Sequence, residues 1–128
     1  MAVRRDRLEK TYVVNIRGMG GHASMPEKAN NPILIAAGLV SSVAGMKWLV
    51  PEKMRNKELA AEVKAVAISA GEKGNIIPDE AEIRYHLTAD TNHFHKLKEQ
   101  FIHAVKVYTE LRGAKAEINI ETKNKERK

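Results

Sequence analysis

His22 is the first residue of this chain whose type and setting could do chemistry. It sits in GMGGHASMP, where three glycines let the backbone turn tightly around it. An imidazole can donate a hydrogen bond or shuttle a proton near neutral pH; a surface histidine would look the same in sequence. Asn75, in GNIIPD, could offer its amide to a ligand or cap a turn. Arg84 could hold a carboxylate in a bidentate fork or pair with surface acids. His93 and His95 resemble a metal pair, but residues two apart on a helix point to different sides. His95, Glu99 and His103 share one helical face at four-residue spacing. They could hold a stray metal ion or simply be solvated. No Ser-His-Asp set, phosphate loop or carboxylate pair stands out. The 128 residues include no cysteine, which excludes thiol nucleophiles, thiolate metal sites and disulfides.

These residues need elements to hold them. Residues 11–17 alternate as a strand, with Tyr12, Val14 and Ile16 on one face. Asn31-Pro32 supplies an N-cap and a first-turn proline, and the pattern is helical from Ile33 to about Met46. That helix is apolar on more than one face. Ile33, Ala36, Ala37, Val40 and Val43 form one stripe; Ile35, Leu39 and Met46 form a second. Residues 63–70 read as a strand. Residues 81–89 alternate cleanly, with Ala81, Ile83, Tyr85, Leu87 and Ala89 facing inward. A second helix, capped near Asp90 or Thr91, carries Phe94, Leu97, Phe101, Val105 and Tyr108, and Gly113 would stop it. A last strand spans 116–122, with Ala116, Ile118 and Ile120 inward. The order βαββαβ predicts an α+β, ferredoxin-like fold: a four-stranded antiparallel sheet with two helices on one face.

The organisation expected is one domain over 11–122, a charged tail or linker over 1–10, and a basic tail over 123–128. Five of the six net positive charges lie in those two ends. A nucleic-acid binder concentrates charge on a folded face, so no nucleic-acid partner is expected. No apolar run approaches the ~20 residues of a membrane span, and no apolar stretch follows the N-terminal charges. A cytoplasmic location is the default expectation.

In this topology the second and fourth strands are the sheet edges. The fourth carries Glu117 and Glu121 between Lys115 and Lys123, charges that protect an edge. The second, VKAVAISA, has one lysine and no proline. The predicted partner is a second copy, joined through strand 63–70 and helix 33–46. Its interface residues would be Val63, Ala65, Ala67, Ile35, Leu39 and Met46. The alternative is that the segment 47–62 covers that edge.

VNIRGMGGHASMPEKANNPI followed by GEKGNIIPDEAEIRYHLTAD resembles the inserted dimerisation, or lid, domain of the zinc aminoacylase and carboxypeptidase family, peptidase family M-twenty. The resemblance covers residues 10–122. It implies that His22 reaches into the partner subunit's active site and stabilises the oxyanion of the tetrahedral intermediate. It implies that Asn75 binds substrate. The family's substrate-carboxylate arginine would fall at Thr88, so Arg84, four residues earlier on the same strand face, is the candidate substitute. The family's zinc ligands, bridging aspartate and general-base glutamate lie in a separate catalytic domain. The chain itself is therefore expected to hold no metal or other cofactor and to hydrolyse nothing alone. The reading from another class is a free-standing ferredoxin-like module that binds a ligand or RNA. The central strand 81–89 offers no outward aromatic for stacking RNA bases.

Overall fold

A computed structural model describes residues 7–24, 29–48, 61–72 and 74–121. In chain order the elements are β1 (Arg7–Arg17), β2 (Gly21–His22), α1 (Pro32–Ala44), β3 (Glu62–Ser69), β4 (Ile76–Ile77), β5 (Glu80–Asp90), α2 (Phe94–Leu111) and β6 (Lys115–Ile120). Four strands form one antiparallel sheet in the order β3-β5-β1-β6. This is the ferredoxin-like arrangement the sequence predicts. The tiny β2 and β4 pair with each other as a separate two-stranded ribbon.

Alternation builds the core. Tyr12, Val14 and Ile16 of β1 and Ala81, Ile83, Tyr85, Leu87 and Ala89 of β5 are all buried beneath the helices. β1 reaches back to Arg7, four residues into the segment expected to be a charged tail, because Arg7–Lys10 pair with Leu87–Asp90 of β5. Asn31 caps α1 through its Oδ1, which accepts from the Ile33 amide at 2.9 Å. The cap of α2 differs from expectation. Asp90 ends β5 instead, the N-cap residue is His93, and His93 Nδ1 lies 2.6 Å from Asp90 Oδ2. Gly113, at φ 73°, follows the α2 C-cap.

The rotation of α1 corrects the interface prediction. Ile35 and Leu39 are buried at 5% and 0% exposure, and Met46 packs half-buried against the same core. Ile35 and Leu39 thus face their own sheet and offer no surface to a second chain, whereas Met46 keeps part of its side chain exposed. Ile33 and Leu34 are the exposed large residues, at 40% and 70%. A helix apolar nearly all round does not encode which face turns inward: Ala36 and Val43 of one stripe and Ile35 and Leu39 of the other share the core.

A bulge corrects the strand. Ala65 lies opposite Tyr85 but Ala67 lies opposite Arg84, so Val66 is extra. Val63 and Ala65 therefore share the helix-covered face, whereas Ala67 moves to the open face. Ile68, opposite Ile83, returns to the helix side.

Tyr85 is fully buried against Phe101, ring centroids 5.0 Å apart. Its hydroxyl has no hydrogen-bond partner among the described residues. Burial pushes its phenol up to about 12, whereas an unfolded tyrosine ionises near 10. The folded state therefore keeps its full stability below about pH 10. As pH rises from there towards about 12, the unfolded chain releases a proton that the folded chain retains. Stability should fall by on the order of 2–3 kcal/mol across that window. Urea midpoints at about pH 9 and about pH 11.5 check this, with Tyr85→Phe removing most of the difference.

Candidate functional site

The site is built where β1 runs out. Past Arg17 the chain is stitched to the strand that leads into β5. The Gly18 amide donates to the Asp79 carbonyl, and the Gly20 amide donates to Asp79 Oδ1, both at 2.9 Å. Met19 and Asn30 exchange both backbone hydrogen bonds, at 2.8 and 2.7 Å. The Asn30 side-chain amide donates to the Arg112 carbonyl at 2.9 Å, which ties the connection to the end of α2. Close approach demands the glycines. A Cβ on Gly18 would meet the Asn30 carbonyl oxygen at 2.2 Å, and one on Gly20 would meet the Ile77 carbonyl oxygen at 2.2 Å.

The ribbon then sets the candidate residues side by side. Gly21 pairs with Ile77 and His22 with Ile76. The Ala23 amide donates to the Asn75 carbonyl at 3.0 Å. Directly opposed residues project to the same face, so His22 stands beside Ile76, which is 45% exposed. His22 itself is exposed. Its Nδ1 lies 2.8 Å from Ser24 Oγ and accepts from the Ser24 amide at 3.2 Å. Alongside runs an open cleft of about 570 Å³, lined by Gly71, Glu72, Ile76, Pro78, Asp79 and Glu80. The Glu80 carboxylate is engaged by Arg17 at 3.2 Å and accepts from the Asn15 side-chain amide at 3.2 Å.

The structure thus places the backbones of His22 and Asn75 on adjoining stretches of one ribbon, joined through the Ala23–Asn75 bond, and leaves Arg84 out. Arg84 sits mid-strand, opposite Val13 and Ala67, roughly 13 Å along β5 from Glu80 by strand rise. Its Nε lies 3.6 Å from both Glu82 and Glu121, the surface pairing that is the alternative reading of this arginine. Thr88, where the resemblance places the family's arginine, is buried at 7% exposure. His95 pairs with Glu99 at 3.0 Å. Among the described residues no group of three or more histidine, aspartate or glutamate side chains could hold a metal ion. The described donors therefore do not fit a zinc centre.

Sequence reasoning missed the ribbon, the double acceptor Asp79 and the Ser24 contact. The available signal was the pair Ile76-Ile77, two adjacent β-branched residues inside a stretch read as a turn.

Among the described residues the sheet leaves β3 as an edge strand, and His22 stands on the ribbon whose second strand, β4, follows β3 in sequence order. Residues 9–111 match the family of peptidase dimerisation domains, and the chain belongs to that family. The hippurate hydrolase of Campylobacter jejuni is 34% identical over 95 residues, covering 74% of this chain and 24% of that enzyme. The N-acetylcysteine deacetylase of Bacillus subtilis is 33% identical over 72 residues, covering 56% and 18%. The chain thus spans about a quarter or less of the curated relatives it matches. Among solved structures, the aminobenzoyl-glutamate utilization protein of Klebsiella pneumoniae superposes with TM-score 0.74 at 19% identity, over 89% of this chain and 28% of that one. A dinuclear metal-binding peptidase of the M-twenty family from Bacillus subtilis gives 0.63 at 18%, over 89% and 25%. At such identities these two likenesses concern the fold. No described helix is long and apolar enough to cross a membrane.

Proposed function

We propose that this chain is the dimerisation and substrate-gating domain of a zinc-dependent amidohydrolase or peptidase. It pairs with a second copy and presents His22 in trans to the partner's active site. One observation carries the reading. β3 is an edge strand that pairs only with β5 among the described residues, and it exposes Val66 at 58% and Ile68 at 54%. α1 packs over β3 with Ile33 and Leu34 exposed. Unpaired strand groups flanked by apolar side chains suit a two-fold partner that extends the sheet and packs helix on helix. Residues 49–60, part of the alternative cover for that edge, lie outside the described residues.

Within this reading His22 supplies a hydrogen-bond donor where negative charge develops on the substrate carbonyl oxygen. Asn75, on the adjoining strand connection, holds the substrate beside it. Hydrolysis itself belongs to metal-binding residues elsewhere in the parent enzyme.

The chain has no native cysteine, so single cysteines placed in turn at each position of β3 (Glu62–Ser69) test the pairing directly. Two-fold antiparallel strands place one position near its own copy, and that variant should oxidise quickly to a covalent dimer. Equal, slow oxidation at every position would refute pairing through β3.

A further inference from the structure

The contact between His22 and Ser24 decides which ring nitrogen faces outward. A backbone amide can only donate. The Ser24 amide points at His22 Nδ1 at 3.2 Å, so Nδ1 carries a lone pair in that contact. The neutral ring's single proton then sits on Nε2. The Ser24 hydroxyl, 2.8 Å from the same nitrogen, can donate to it as well. The ribbon fixes the backbone on both sides, through the Gly21–Ile77 pair and the bond from the Ala23 amide to the Asn75 carbonyl.

We propose that Ser24 is a positioning residue: its amide and hydroxyl together lock His22 as the Nε2–H tautomer, so that the exposed nitrogen is a donor. The proposal rests on the reading that His22 donates to an oxyanion. With the proton on Nδ1, two N–H groups would confront each other and the outward nitrogen would offer a lone pair to an anion.

The test is a long-range ¹H–¹⁵N correlation spectrum of the whole chain, labelled at histidine nitrogens and recorded where the imidazole is neutral. His22→Gln identifies the resonances. In the unsubstituted chain Nδ1 should resonate as a pyridine-type nitrogen and Nε2 as a pyrrole-type nitrogen. Ser24→Ala should move both towards the averaged positions of a free imidazole, and Ser24→Thr, which restores a hydroxyl, should move them back. Backbone amide shifts of β1 and β5 report that each variant is folded. A proton on Nδ1 of the unsubstituted chain, or identical His22 resonances in it and Ser24→Ala, would overturn the proposal. A chain that fails to dimerise leaves this readout intact, so the two readings fail separately.

Discussion

Phe101→Ala should lower the stability of this domain by about 4 kcal/mol. Phe101 is fully buried at the centre of the layer between helices and sheet. Its ring lies 5.0 Å from that of Tyr85 in an edge-on arrangement and 6.2 Å from that of Tyr12. Truncation removes the transfer energy of the ring, forfeits both aromatic contacts and leaves a cavity. Two tyrosines anchored on the two central strands cannot collapse into that space without distorting the sheet. A domain of this size has only about 5–15 kcal/mol in total, so the variant should sit near the edge of folding, its melting temperature roughly 15 °C lower. Urea denaturation at one fixed protein concentration measures the loss without confusing it with association. A change below about 1 kcal/mol would mean that the α2–sheet packing is wrong.

The second large effect concerns the site rather than the core. Gly20→Ala should break the ribbon that carries His22 while leaving the main sheet folded. The new Cβ would lie 2.2 Å from the Ile77 carbonyl oxygen, 2.7 Å from the Pro78 carbonyl carbon and 2.8 Å from Asp79 Oδ1. Two of these are backbone atoms, so relief requires β4 to move away. That movement disrupts the bond from the Gly20 amide to Asp79 and the pairing of His22 with Ile76. The expected cost is about 1–3 kcal/mol. Hydrogen exchange should show the Gly20 and Ala23 amides losing protection while those of β1 and β5 keep theirs. Gly21→Ala is the control. Among the described residues its Cβ would meet only the Ala29 Cβ, at 3.8 Å, an ordinary contact, and it should leave exchange at Gly20 and Ala23 nearly unchanged.

The parts of this fold that were legible in sequence are those with one strong period. Residues 81–89 alternate without exception, and each inward residue named there is buried. Asn31-Pro32 marks the start of α1, because a cap and a proline act locally. The rotation of α1 was not legible. With apolar residues nearly all round, only the packing of the sheet distinguishes Leu39 from Leu34. The bulge at Val66 is equally silent, since VKAVAIS alternates almost as well with or without an extra residue, so the face that Ala67 takes is set only by its pairing with Arg84. At the site, the glycines around His22 were readable as a need for tight backbone. Which backbone they approach was not, because Ile77 and Asp79 lie nearly sixty residues away in sequence. Arg84 shows the remaining limit. Residue type and strand face place it on the open side of the sheet beside Glu82, two residues earlier, but Glu121 reaches it only through the pairing of β5, β1 and β6.

Self-association through β3 and the outer face of α1 is read by sedimentation equilibrium over a wide concentration range. The unsubstituted chain should form a dimer. Ile68→Lys, which places a charge on the exposed apolar edge, should weaken that dimer by about a hundredfold or more, the loss expected when a central contact is truncated and charged. A chain that stays monomeric at every concentration, or a dimer indifferent to both Ile68→Lys and Leu34→Lys, would rule out association through this edge.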